Sequence, residues 1–477
     1  MNLPILRSFI SGRSVEDAAT TIELVAPFTL KPYALLTDST ESIVNMAVES
    51  AQSAYIKHRK TPLSTRIQWL NNAAIEIEKH LPELINMLIQ DIGKPRKAAT
   101  FEANRSAAFL RATASEAATL RGETIPVDSL AAGAGKMGFT KRHPYGVVAG
   151  ITPFNAPINL LVQKVAPALI AGNSIVIKPH PSATRTSLRI AEIFHNSGLP
   201  TGLFNVLTGD RSPAAQLVAN PYVMAVTFTG GTVAGDALVR AAGAKKFLAE
   251  LGSNAANIVL ADADIEDAAK KIASAAFEAS GQQCISAQRI IVEEKVYDQF
   301  LSAFVQASKA LKVGNPEDEN TDIGPMVNIN TANRVMAMVA DAKKRGLPLA
   351  LDPIQNGCTV SPGIVAQPTR ESSIWREEVF GPLATVIKAK DSDEALSLAN
   401  DSEFGLQGSL FTRSLKETFR FSEDFDVGSL WVNEASRFRL DMYPFGGSKR
   451  SGFGREGIRY AIEELSQTRF TGIRFDF

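Results

Sequence analysis

Gly146-Val-Val-Ala-Gly-Ile-Thr-Pro-Phe-Asn-Ala-Pro157 runs a short β-rich apolar stretch into a proline-flanked turn, and helix-patterned sequence follows it. The same alternation returns at Ser174-Ile-Val-Ile177, Leu203-Phe-Asn-Val-Leu207 and Ala225-Val-Thr-Phe228. Strands joined through helices run parallel and need cover on both faces, so 145–250 reads as an open doubly wound sheet. Ligands of such sheets bind at the carboxyl ends of the strands. Toward the amino end, Thr40 to Leu120 carries apolar residues at helical spacing, such as Ile43, Ala47 and Ala51, then Ile67, Leu70, Ala74 and Ile77. Pro62 and Pro82 sit where helices begin, positions at which a missing N–H costs little. Beyond 250 a second alternating block follows: a strand Asn257–Leu260, a helix from Asp264 to about Glu278, a strand Arg289–Val292 and a helix near Val296–Leu311. The expected fold class is α/β in three parts. These are a doubly wound domain from 1–121 plus 145–250, a second α/β domain from 251–464, and a β arm from 122–144 and 465–477 that reaches a neighbouring subunit.

The chain of 477 residues is about three times the ~150-residue modal domain, in keeping with that division. Hydrophobic residues at 45% and charged residues at 21% are too core-rich for disorder. Lys plus Arg and Asp plus Glu number 50 each, so no basic excess exists to neutralise phosphates and no nucleic-acid partner is expected. The two cysteines, Cys284 and Cys358, offer neither a disulfide framework nor zinc-ligand spacing, which predicts a reducing compartment and no metal. At the amino end Arg7 follows the apolar stretch, the reverse of a secretory signal, and no run reaches the ~18 apolar residues of a membrane span. A cytoplasmic protein without a membrane partner is expected.

Gly133-Ala-Gly135-Lys-Met-Gly138 satisfies G-x-G-x-x-G, yet no strand delivers these glycines to a helix N-terminus, so the dinucleotide reading fails on context. Phe228-Thr-Gly-Gly-Thr232 is the better phosphate candidate, because a strand ends there in glycines just before the helical run 233–242. By itself it is more readily a tight βα turn whose glycines supply positive φ.

Three segments carry chemistry. In Ser280-Gly-Gln-Gln-Cys284-Ile-Ser-Ala-Gln-Arg-Ile a lone cysteine follows a glycine turn; any single cysteine is more often a small core residue. Glu250 closes the apolar strand Phe247-Leu-Ala, where open α/β proteins place reactive groups and where a salt-bridged strand end is the bland alternative. Asn155 stands in a turn at the end of the first sheet strand, facing a cleft or bonding its own backbone.

Together with Val176-Ile-Lys178-Pro179, Glu377-Glu378-Val-Phe380-Gly-Pro382 and Pro444-Phe-Gly-Gly-Ser-Lys-Arg-Ser-Gly452, these segments resemble the aldehyde dehydrogenase superfamily of nicotinamide-dependent enzymes. The resemblance spans nearly the whole chain, with the motifs in the family's order. It implies that Cys284 is the nucleophile, that Asn155 stabilises the oxyanion of a thiohemiacetal with the backbone N–H of Cys284, and that Glu250 activates the water that hydrolyses the ensuing thioester. It assigns Lys178 and Glu378 to cofactor ribose hydroxyls and Phe380 to the nicotinamide ribose. Phe228, Gly230 and Gly231 go to the pyrophosphate, and Thr152, Pro153, Phe154 and Leu251 to the cofactor crevice. It further implies a homodimer or homotetramer.

Three departures from the family bear on specificity. Gly231 stands where many relatives bond phosphate with serine. Pro181 stands where strict NAD users often carry a glutamate, a charge that would repel a 2′-phosphate, so NADP is expected to be accepted alongside NAD. The pattern around Cys284 is similar to the branch of lactaldehyde, phosphonoacetaldehyde and non-phosphorylating glyceraldehyde-phosphate dehydrogenases, which points to a short polar aldehyde bearing a hydroxyl or carboxyl. Gln283 replaces the arginine with which relatives hold a phosphate, so a phosphorylated substrate is disfavoured. Arg105, Arg437 and Arg439 are the candidate substrate residues, with structural salt bridging as the bland alternative. The competing functions are a coenzyme-A-acylating relative, against which Glu250 argues, and a non-catalytic thiol-sensing scaffold of the same fold.

Overall fold

The computed structural model describes residues 3–16 and 20–475. Two sheets organise it. The first has eight strands, in the spatial order Gly452–Phe453, Lys246–Glu250, Val223–Thr229, Val147–Thr152, Ser174–Pro179, Phe204–Val206, Phe9–Ile10 and Arg13–Ser14. The five from Lys246–Glu250 to Phe204–Val206 run parallel. Its parallel part starts at Val147–Thr152, winds outward to Phe204–Val206, then returns to the other side of that strand at Val223–Thr229. A topological switch point therefore opens between the carboxyl ends of Val147–Thr152 and Val223–Thr229.

The helices expected between 40 and 120 are Glu41–His58, Leu63–Lys79, Leu81–Ile92 and Arg96–Glu116. They complete the cover that the parallel sheet needs. Val148, Ile175 and Ile177 pack toward Leu70, Leu110 and Leu161 on one face, while Val147, Ala149 and Val176 pack toward Val44, Val48 and Leu217 on the other.

The second sheet has seven strands, ordered Leu349–Leu351, Gly363–Ala366, Leu383–Ala389, Arg289–Glu293, Ala256–Val259, Gln407–Phe411 and Ser429–Val432. All but Leu349–Leu351 run parallel. The helices Ile265–Phe277 and Tyr297–Lys309 cover one face through Ile272, Phe277, Phe300 and Phe304. The fold is α/β with two doubly wound lobes.

The sequence division gives 251–464 wholly to the second lobe; the structure corrects its last stretch. Gly452–Phe453 pairs antiparallel with Lys246–Glu250, and Ile458, Ile462 and Leu465 belong to the first lobe's core. A two-residue strand and a seven-residue helix, Ile458–Glu464, carry too little periodicity for this return to be read from sequence.

The arm is a three-stranded antiparallel sheet in which Ser466–Arg474 pairs along its whole length with Lys136–Pro144, itself paired with Thr124–Ile125. Gly138 of the rejected glycine motif lies inside that ladder. A Cβ there would sit 2.6 Å from the Phe470 ring, so this glycine serves packing.

Candidate active site

Glu250 ends its strand at the carboxyl edge of the first sheet, and its carbonyl accepts the N–H of Gly230 at 3.1 Å. The turn holding Cys284 comes from the second lobe. There Ala279, Ser280 and Gly281 take positive φ of 53°, 59° and 62° in succession. Such backbone persists only when surroundings over-determine it. Ser280 Oγ donates to the Gly324 carbonyl at 2.8 Å, Gln282 Oε1 accepts the Val327 N–H at 3.0 Å, and Gly281 lies so close to Gly381 that a Cβ would come within 2.3 Å of that carbonyl oxygen.

This clamped turn brings the Cys284 Sγ to 3.3 Å from Glu250 Oε1, the thiol donating. Cys284 keeps partial exposure, whereas Glu250 is buried. Burial drives the thiol well above its ordinary range, and the neighbouring Glu250 charge pushes the same way; Arg439 opposes both. Burial also raises Glu250, to about 7, with Glu456 adding to the rise and Arg439 countering it. Cys358 is a core residue.

Beneath the pair lies an ionic network. Arg439 stands 3.8 Å from Glu250 and 3.1 Å from Glu456, donates to Gln163 Oε1 at 3.2 Å, and stacks 3.7 Å above the Phe445 ring. Glu456 also takes the Lys164 ammonium at 3.0 Å, which donates in turn to Thr229 at 2.8 Å. Burial alone would raise Glu456, but the two cations outweigh it and hold this carboxylate down to about 2. Sequence reasoning missed Lys164 and Glu456. A signal existed for the first: Lys164 lies in the helix Asn159–Ala171, every residue of which from Asn159 to Ile170 is buried, and a charge there needs a partner.

Asn155 sits in the turn between Val147–Thr152 and that helix, at the switch point. Glu102 fixes the turn by accepting the helix-start N–H groups of Ile158 at 2.8 Å and Asn159 at 3.3 Å. Asn155 Oδ1 is buried without a hydrogen-bond partner among the described residues. Its neighbour Phe154 packs edge-on against Phe380 with ring centroids 5.7 Å apart, tying this turn to the second lobe. Phe380, Glu378, Gly281, Gln283 and Ser253 line one recess.

The crevice suits a dinucleotide. Thr152 Oγ1 is buried without a partner, and Lys178, also buried, donates to the carbonyl of Pro179 at 2.6 Å. Burial lowers Lys178 to about 8 against the pull of Asp210 and Asp38. Gly231 caps the helix Thr232–Ala242 with open space where its Cβ would be, leaving helix-start N–H groups for an anion. Glu378 accepts the Ser253 N–H at 3.0 Å, and burial raises its carboxyl to about 7. Pro181 opens a short helical turn, Pro181–Ala183, beside the half-buried His180. Phe228 and Leu251 turn into the core instead, with the Phe228 ring beneath Gly230, and so form the floor of the crevice. His180, whose ring lies 5.1 Å from that of Phe154, had not been singled out.

The three candidate arginines all hold carboxylates. Arg105 pairs bidentately with Asp441 at 3.0 and 2.5 Å. Arg437 donates to Gln283 Oε1 at 2.9 Å and pairs with Glu278 at 2.6 Å. Arg439 is the cation beside Glu250. Among the described residues no group of three or more His, Cys, Asp or Glu could hold a metal, and no helix is long and apolar enough to cross a membrane.

A thiol hydrogen-bonded to a carboxylate at the carboxyl edge of a doubly wound sheet, with a topological switch point beside it, defines a site for covalent chemistry on a bound ligand. The chain belongs to the aldehyde dehydrogenase family, whose profile matches residues 14–471. It is 39% identical over 455 residues to the 3-sulfolactaldehyde dehydrogenase of Priestia aryabhattai, covering 95% of each chain. It is 34% identical over 468 residues to the lactaldehyde dehydrogenase of Methanocaldococcus jannaschii, covering 97% of this chain and 98% of that one. Among solved structures it is similar to the NADP-dependent glyceraldehyde-3-phosphate dehydrogenase from Bacillus halodurans complexed with NADP, with TM-score 0.96 and 32% identity over 99% and 100% of the two chains.

Proposed function

We propose that this chain oxidises a short polar aldehyde to its carboxylic acid, using NAD or NADP. The 3.3 Å contact between Cys284 and Glu250 carries the reading. Glu250 takes the thiol proton, and the thiolate bonds the aldehyde carbon. The Asn155 amide and the backbone N–H of Cys284 hold the resulting oxyanion; removal of one such donor typically costs about 3–4 kcal/mol of barrier. A nicotinamide bound in the crevice supplies the hydride acceptor. Glu250 releases that first proton to solvent and, ionised again, draws a proton from the water that hydrolyses the thioester on Cys284, a task for which a carboxyl near neutrality is suited.

Lys178, Glu378 and Phe380 would hold the ribose hydroxyls and the nicotinamide end, with Thr152, Pro153 and Phe154 along the crevice. Gly230 and Gly231 would cradle the pyrophosphate. Pro181 places no negative charge against a 2′-phosphate, so both cofactors are accepted; a kcat/KM at least a thousandfold lower with NADP would refute this.

A hydroxyl or acidic group on the aldehyde fits the arginines around the site, and the named relatives act on lactaldehyde and sulfolactaldehyde. Arg105 supplies a guanidinium. Arg439 has spent its terminal nitrogens but keeps a buried Nε–H without a partner among the described residues. Gln283 offers an amide where a phosphate would need a cation.

The arm supports a homodimer or homotetramer: Ser466–Arg474 is an edge strand with Phe470 and Ile473 exposed, the kind of edge that proteins normally cover.

The direct test screens aldehydes with both cofactors, following reduced nicotinamide and acid release without added coenzyme A. Turnover abolished in Cys284→Ala supports the reading. Acid release that requires coenzyme A, or turnover that survives the substitution, overturns it.

A further inference from the structure

Residues 437–444 alternate strictly. Arg437, Arg439, Asp441 and Tyr443 are partly buried, while Phe438, Leu440, Met442 and Pro444 are exposed. Of the partly buried members, Arg439 reaches Glu250, while Arg437 and Asp441 reach Gln283 and Gln163.

A continuous line of contacts leads from the thiol to Asp441. Cys284 donates to Glu250, Arg439 approaches Glu250 at 3.8 Å and donates to Gln163 Oε1 at 3.2 Å, and Gln163 Nε2 donates to Asp441 Oδ1 at 3.2 Å. Asp441 in turn holds Nε and Nη2 of Arg105. Side-chain exposure rises along the line, from 2% at Glu250 through 9% at Arg439 to 17% at Asp441 and 20% at Arg105.

Charge along this line is balanced. Arg105, Arg437, Arg439 and Lys164 face Asp441, Glu278, Glu250 and Glu456, and with every group ionised the set is neutral. Glu250 and Glu456 are bound up with the thiol and with the Lys164 ammonium, and Glu278 with Arg437. Asp441 touches neither Cys284 nor Glu250. What it does is fill the flat edge of Arg105 in the two-bond geometry that a substrate carboxylate or sulfonate would adopt.

We infer that Asp441 is a specificity-determining residue: it competes with an acidic substrate group for Arg105 and so tilts the site toward hydroxyl-bearing aldehydes. The inference rests on the reading of Cys284 and Glu250 as the reacting pair. An anion must displace Asp441 or leave Arg105 unengaged, whereas a hydroxyl asks for no such exchange.

The test compares the full-length enzyme with Asp441→Asn and Asp441→Ser. The backbone carbonyl of Asp441, which accepts the Ile458 N–H at 2.9 Å, remains in both. Succinic semialdehyde and butanal serve as four-carbon substrates that differ by a terminal carboxylate. The ratio of their kcat/KM values should move at least tenfold toward the acid in both variants. The inhibition constant of succinate against butanal oxidation should fall by a similar factor, and adding Arg105→Ala should erase both gains. A ratio and an inhibition constant that stay within twofold, or a gain that persists without Arg105, overturn the inference. If no form oxidises succinic semialdehyde, the acidic-substrate reading fails by itself, and tighter succinate inhibition in the variants still upholds the role of Asp441. If no form oxidises butanal either, the reading of the reacting pair has failed and this inference falls with it.

Discussion

In the proposed mechanism Glu250 accepts a proton at about the pH where it changes charge, and Arg439 keeps it from rising further. Two unit charges near 4 Å attract by about 4 kcal/mol at an effective dielectric of 20, enough to matter to a buried carboxyl. Arg439→Met keeps the bulk over Phe445 and removes the cation, so Glu250 titrates higher. The proposed mechanism needs the ionised carboxylate, so the acidic limb of the kcat profile should move to higher pH. A displacement of about one unit gives about a fivefold loss at pH 7 that recovers by pH 9. A loss equal at every pH would show that Arg439 acts by packing alone. The residues of this site differ in how far sequence reveals them. Cys284, Glu250 and Asn155 stand out through the motifs around them. Arg439 reads in the linear chain as a candidate substrate residue and Glu456 as an ordinary surface charge, and only folding buries both against Glu250.

Two glycines at the ends of elements make opposite predictions. Gly281 has φ of 62° and no room for a methyl group beside Gly381. Gly281→Ala should therefore displace the nucleophile turn and lower kcat at least about a hundredfold, because near-attack geometry tolerates little displacement. Circular dichroism and the melting curve should show the fold retained. Gly231 has ordinary φ and open space, so Gly231→Ser should be tolerated and should add a donor at the anion site. Dinucleotide affinity should tighten by about threefold to tenfold, read by fluorescence titration. Unchanged affinity would mean that the pyrophosphate lies elsewhere. At this scale the strands were readable because continuous apolar runs ended in Gly, Pro or Asn, as at Val147–Thr152 and Val223–Thr229. The three successive positive φ values before Cys284 were not, because two belong to Ala279 and Ser280, residues with no preference for that region.

For the whole molecule, the arm and the return of 452–465 to the first sheet decide how the parts are coupled. Phe470 is 53% exposed in the middle of the edge strand Ser466–Arg474. Phe470→Glu should lower the mass measured by sedimentation to that of one chain while the melting of the two lobes persists; an unchanged mass would place the subunit contact elsewhere. The two-lobe plan was legible from the alternation of strands and helices. The chain's late crossing was not, because Gly452–Phe453 is defined by its partner and not by its own sequence.

The alternation through 437–444 carries a further consequence for the family's diversity. Losing or gaining one residue there would set Leu440 or Met442 where Arg439 and Asp441 now meet Gln163. Loop length alone would then exchange charged for apolar groups beside the reacting pair, and with them the aldehydes that the chamber accepts.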